Sequence, residues 1–220
     1  MKILALDSAT SHCSIALCTD GRRIVGDRTP EGGSQGDAIP GVVEAMLQEA
    51  GLAIDDLDRL AVTIGPGRFT GLRAGLAFMR GLSLASDVPL IGVTTLEAVF
   101  EATSCADQEV ALAVIDSKRA ELFFQIFDAQ GHALGAAFAM RPDGLAPRMS
   151  SHSRIIVVGE HAGMVAARLG ASTRAIERHV EAFDVAAIAA RQTPPRAPPA
   201  PLYVHPPATT MTRASKSRPQ

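Results

Sequence analysis

Between Ile64 and Arg73 the chain reads Ile-Gly-Pro-Gly-Arg-Phe-Thr-Gly-Leu-Arg, a strand end that runs through a glycine-rich turn straight into a helix. Gly65 and Gly67 admit backbone angles that other residues resist, and Pro66 fixes the turn between them. Phe69, Leu72, Leu76 and Met79 then repeat at helical spacing. Junctions of this kind often cradle phosphate on free N–H groups, but the Walker pattern requires a Lys-Ser/Thr pair after the glycines. Arg68-Phe69 stand there instead, so a P-loop is excluded.

The rest of the chain falls into order around that junction. Residues 2–7, 12–18 and 22–28 read as three short strands separated by the Asp7-Ser8 and Asp20-Gly21 turns. A helix is predicted over Ala38–Ala50, ended by Gly51, then a strand over Leu60–Ile64 and a helix over Phe69–Ser86. A strand over Leu90–Val93 and a helix over Leu96–Thr103 complete the order β-β-β-α-β-α-β-α. The second half restarts it: strands over Val110–Ile115, Glu121–Phe127, His132–Met140 and Ile155–Val158, then helices over Ala162–Leu169 and Val185–Arg191. Three antiparallel strands followed by strand–helix alternation belong to a mixed sheet with helices on its faces. The expected class is therefore α/β: a duplicated ribonuclease-H-like (actin-like ATPase) fold with a truncated second lobe. Residues 1–103 form the first lobe, 104–193 the smaller second lobe, and 194–220 a Pro-rich basic tail. From Pro194 to Pro207 seven of fourteen residues are proline, which favours an extended strap, and Ala208–Gln220 reads as disordered.

Composition removes several functions. With no Trp, one Tyr and 4% aromatic residues, a base-stacking RNA platform lacks raw material. No apolar run reaches the roughly 20 residues a bilayer span needs, and Met1-Lys2 leads directly into strand-like sequence, so a cytoplasmic chain is expected. Cys13, Cys18 and Cys105 form no Cys-x-x-Cys pair, and thiols are expected. No two histidines fall at i, i+3 or i, i+4, so no helix presents a two-histidine metal face, and no metal site is expected. After Asp184 there is no acidic residue, while Arg191, Arg196, Arg213, Lys216 and Arg218 follow; the basic tail reads either as a contact to RNA phosphates or as a solvated terminus.

The Ile64–Arg73 segment closely resembles the Gly-Pro-Gly-Ser-Phe-Thr-Gly-Leu-Arg signature of the TsaB (YeaZ-type) family. Ile3–Thr10, Pro89–Ala98 and Asp116–Phe123 resemble that family's other stretches in the same order, and Pro201-Leu202-Tyr203-Val204 resembles its C-terminal Pro-x-Tyr-Leu-Arg. The resemblance implies a non-catalytic subunit that pairs with and activates the transferase TsaD, joins the ATPase TsaE, and reaches tRNA adenosine 37 through that complex. It also leaves open a homodimer of the isolated chain and an ATP or ADP at the complex interface. Ser34 stands where many such sequences carry histidine.

Two groups of residues are candidates. Gly71, Ala74, Gly75, Phe78, Gly81 and Ala85 fall on one broad side of the predicted helix and leave a shallow track of small residues. Glycine in a helix costs about 0.5–1 kcal/mol against alanine, so a close contact has to compensate. Packing on the chain's own sheet and docking of a partner helix both fit. The resemblance favours the partner, with Phe69, Gly71, Arg73, Ala74, Gly75, Phe78 and Gly81 as its interface. The second group is Asp7, Ser8 and Thr10, with Ser11, at the place where actin-type ATPases hold magnesium and phosphate, and Gly159 in a strand–turn–helix placed to meet adenine. The alternative is a turn in which Asp7 and Ser8 bond nearby backbone N–H groups. An independent small ATPase or kinase, and a peptidase acting on its partner, stand as rival functions, although no Gly-x-Ser-x-Gly elbow is present.

Overall fold

The computed structural model describes residues 1–19, 22–28, 35–170 and 173–204. The Asp20-Gly21 turn, Ser34, and the tail with Arg213, Lys216 and Arg218 lie outside those residues. In the first half, β1 (Lys2–Asp7), β2 (Ser14–Thr19) and β3 (Arg22–Arg28) form an antiparallel meander. There follow α1 (Gln35–Ala50), β4 (Arg59–Thr63), α2 (Phe69–Ser86), β5 (Leu90–Val93) and α3 (Thr95–Glu101). β4 and β5 join in parallel, giving the order β3-β2-β1-β4-β5.

The second half repeats the plan with β6 (Val110–Asp116), β7 (Leu122–Phe127), β8 (Phe138–Met140), α4 (Leu145–Met149), β9 (Ile155–Gly159), α5 (Ala162–Leu169), β10 (Arg174–Glu177) and α6 (Ala182–Arg191). Its order, β8-β7-β6-β9-β10, is that of the first sheet element for element. This is the duplicated ribonuclease-H-like fold, and the second copy is reduced: α4 has 5 residues where α1 has 16, and α5 has 8 where α2 has 18.

The alternation along the strands sets the layers. On β1, Leu4 and Leu6 face an outer core beneath α1 and α2, while Ile3 and Ala5 face a central core. On β6, Leu112 and Val114 face the α4–α5 side, while Ala111, Ala113 and Ile115 face the centre. The central layer is alanine-rich on both sheets (Ala5, Ala16, Ala61, Ala111, Ala113) and on its helices (Ala98, Ala182, Ala186, Ala189). Short side chains let α3 and α6 lie close between the sheets, as dense packing requires. α6 follows the second sheet in the chain yet packs against β1, β2 and β4 of the first, as well as against α3. The Arg59 guanidinium donates to the carbonyls of Ala189 and Gln192, 2.6 Å in the latter case, and so caps its C-terminal end.

Several boundaries differ from the sequence expectation. α3 starts at Thr95 because Thr94 closes a capping box: its Oγ1 accepts the Glu97 N–H at 3.1 Å while Glu97 Oε2 accepts the Thr94 N–H at 3.0 Å. The strand expected over His132–Met140 shrinks to Phe138–Met140 and one bridge between Phe127 and Ala133. α4 and β10 were not foreseen; all four residues of β10 are exposed and carry no buried apolar alternation. Over its described residues, 194–204, the strap lies along the first sheet, where the Leu202 N–H reaches Ile64 O at 2.7 Å.

Candidate interaction surface and interlobe turns

Two of the three glycines of α2, Gly71 and Gly75, are used inside the chain. A Cβ built on Gly71 would lie 2.1 Å from Ser8 O, and one on Gly75 2.0 Å from Ser8 Oγ. The two glycines, one helical turn apart, let α2 rest directly on the turn after β1, and Ser8 Oγ–H donates to Gly71 O at 2.9 Å. The expected open track over Gly71 and Gly75 is therefore corrected: that side of the helix is filled by Ser8. Ala74 and Phe78 are half-buried beside it, and Gly81 is open, with nothing within 4 Å of an added Cβ.

The free face of α2 is rotated away from Gly71 and Gly75 and carries Phe69, Thr70, Arg73, Ala77, Arg80, Gly81 and Leu84. Phe69 is 40% and Leu84 84% exposed. The strap completes this face. The Arg73 guanidinium lies 3.7 Å from the Phe69 ring centroid and its Nε donates to Tyr203 Oη at 3.2 Å. The Tyr203 ring sits 5.7 Å from Phe69, and Arg80 donates to Pro199 O at 2.6 Å. A Cβ on Gly92 of β5 would meet Pro199 Cβ at 2.5 Å, so only glycine admits the strap there. Sequence reasoning placed Phe69, Arg73 and Gly81 here but missed Arg80 and Leu84. Leu84 falls off the Leu72–Leu76–Met79 stripe, and that offset was the available signal.

Asp7, Ser8 and Thr10 are together in the turn after β1, all buried. Asp7 Oδ1 accepts the Ala9 N–H at 3.0 Å and the Thr63 hydroxyl at 2.7 Å, and Oδ2 accepts the Thr10 hydroxyl at 2.6 Å. Burial pushes the Asp7 carboxyl above its ordinary value, and these hydrogen bonds oppose the shift. Asp7 thus closes on the Ala9 N–H and two hydroxyls with no exposed surface, while Ser8 reaches across to the Gly71 carbonyl of α2 rather than to a neighbouring N–H. β6 ends in the same device: Asp116 Oδ1 accepts the Lys118 N–H at 2.7 Å. Burial acts to raise the Asp116 carboxyl, but hydrogen bonds from Lys118 and His161 outweigh it and hold the carboxyl low.

Gly159 has φ +124°, and its added Cβ would strike Val114 O at 2.0 Å, so this turn closes on β6. The next residue, Glu160, is the interlobe link. Its carboxylate accepts the Asp116 N–H at 2.9 Å and the Ser11 hydroxyl at 3.4 Å, and lies 3.3 Å from His179 Nδ1. The rings of His12 and His179 stack beside it at 5.4 Å. Among the described residues no three His, Cys, Asp or Glu side chains converge to hold a metal, and no helix is long and apolar enough to cross a membrane.

A family model described as TsaD, tRNA N6-adenosine threonylcarbamoyltransferase, matches residues 35–178. The chain is 32% identical over 159 residues to the tRNA threonylcarbamoyladenosine biosynthesis protein TsaB of Escherichia coli, covering 70% of this chain and 68% of that protein. It is also 32% identical to the TsaB protein of Haemophilus influenzae, over 56% of this chain and 52% of that one. Among solved structures it is similar to an uncharacterised protein with similarity to the peptidase YeaZ from Pseudomonas aeruginosa, with a TM-score of 0.74 and 26% identity over 93% of this chain and 99% of the other.

Proposed function

The chain belongs to the TsaB (YeaZ-type) family of tRNA threonylcarbamoyladenosine biosynthesis proteins, and on that premise we propose that it is a non-catalytic subunit that pairs with a TsaD-type transferase and activates it. The observation that carries this reading is the free face of α2. An 18-residue helix that contains no carboxylate exposes Phe69 and Leu84 to solvent, and the strap orders Tyr203 and Arg73 beside them. Exposed aromatic and aliphatic side chains interleaved with ordered arginines are a usual composition of a protein contact. The buried, fully engaged Asp7 carboxylate supports the absence of independent chemistry in this subunit.

The test is co-purification with the transferase subunit, followed by modification of tRNA adenosine 37 from supplied threonylcarbamoyl-adenylate with and without this chain. Modification that depends on the chain is expected. An equal rate from the transferase alone, or magnesium-dependent ATP hydrolysis by the isolated chain, would overturn the reading.

A further inference from the structure

We propose that the groove between the last turns of α2 and the Pro-rich strap is the second half of the partner surface, and that it receives an apolar side chain flanked by carboxylates from the transferase subunit. This rests on the pairing proposed above and assigns the chemistry of its contact. The groove has a volume of about 500 Å³ and is lined by Arg80, Ser83 and Leu84 of α2, the start of β5, and Pro195–Pro198 of the strap. It continues the Phe69–Arg73–Tyr203 cluster along the same helix face. Of the seven exposed large hydrophobic residues among those described, Phe69, Leu84 and Tyr203 lie on this surface.

Charge selects the occupant. Arg73, Arg80 and Arg196 line the cluster and the groove, Asp87 is the one carboxylate there, and among the described residues none of the three arginines is in an ion pair. A second copy of this chain, docked face to face about a two-fold axis, would set arginine against arginine, which opposes the contact. A partner with carboxylates around an apolar anchor meets each cation with an opposite charge while Leu84 is covered. Pro195 and Pro198 line the strap side without backbone donors that would need partners, and Leu84, Val88 and Leu90 add apolar lining opposite the charged residues.

The experiment measures association of the full chain with the transferase subunit across a salt series, using Leu84→Asp and Arg196→Glu. Neither residue is needed for the core, and emission from Tyr203, the sole tyrosine in a chain without tryptophan, checks that the strap stays docked. Leu84→Asp is expected to weaken binding about tenfold or more, through faster dissociation. Arg196→Glu is expected to slow association and flatten its dependence on salt. Parent-like affinity and salt slope in both folded variants, beside a parent that binds, would overturn the groove assignment and leave the pairing standing. A parent that does not bind the transferase at all would overturn the pairing itself. Leu84-dependent self-association in sedimentation would make a second copy the occupant and overturn the acidic partner.

Discussion

Ser8 and Gly75 occupy one volume between them: the hydroxyl of the first stands where a Cβ of the second would go. Gly75→Ala therefore forces Ser8 or α2 to move, at a cost of about 1–3 kcal/mol typical of overpacking. Ser8→Ala removes the Oγ, so the double variant should recover part of that loss, giving a non-zero coupling in a double-mutant cycle measured by urea unfolding. Strictly additive losses would refute the direct contact. Helical spacing could show that Gly71 and Gly75 are small and share a side; it could not show that a turn some 60 residues earlier fills the space. A second residue-level consequence concerns thiols. Burial, with the Asp7 charge as a lesser influence, pushes the Cys13 thiol up to about 12. At pH 8 about one Cys13 in ten thousand would be thiolate. Cys105 is only half-buried, although burial raises its thiol too, so iodoacetamide should label Cys105 first and Cys13 only in denaturant, as read by peptide mass spectrometry. Labelling of Cys13 in the folded chain at the Cys105 rate would contradict the buried placement.

The strap is the element that the sequence described least completely. Its seven prolines announced an extended conformation, but its docking depends on single atoms elsewhere: the Ile64 carbonyl and the absent side chains of Gly65 and Gly92. Gly92→Val should expel Pro199 and free Tyr203 from Phe69, lowering the anisotropy of tyrosine emission, while the far-UV circular dichroism of the lobes persists. Unchanged anisotropy in that variant would mean that Gly92 does not hold the strap. Other elements were legible in proportion to their periodicity. α2, an 18-residue helix, matched its expected bounds because Phe69, Leu72, Leu76 and Met79 set a helical period from its first residue. β10 was invisible because its four residues are all exposed, and α4 because 5 residues cannot display a helical period.

At the scale of the whole molecule, the duplicated order was legible because each sheet repeats one strand–helix order, whereas the way the copies join was not. Glu160 and Ser11 are 149 residues apart in sequence, and the return of α6 to the first sheet leaves no local trace. That return determines how the protein unfolds. The central core draws Ile3 and Ala61 from the first sheet, Ala111 and Ile156 from the second, and Val185 and Ala189 from α6, so neither lobe buries its inner face alone. Arg59, on β4, caps α6 from the first sheet and couples the two lobes again. The lobes divided near residue 103 should therefore melt as one cooperative unit, with coincident transitions followed by circular dichroism and by hydrogen exchange in β1 and β6. Arg59→Met should lower the stability of both sheets together by about 1–3 kcal/mol, since it removes a charged donor shared by the part-buried Ala189 and Gln192 carbonyls. If β6 amides kept parental protection while β1 amides lost theirs, the two lobes would be separate folding units, and α6 would belong energetically to the first alone.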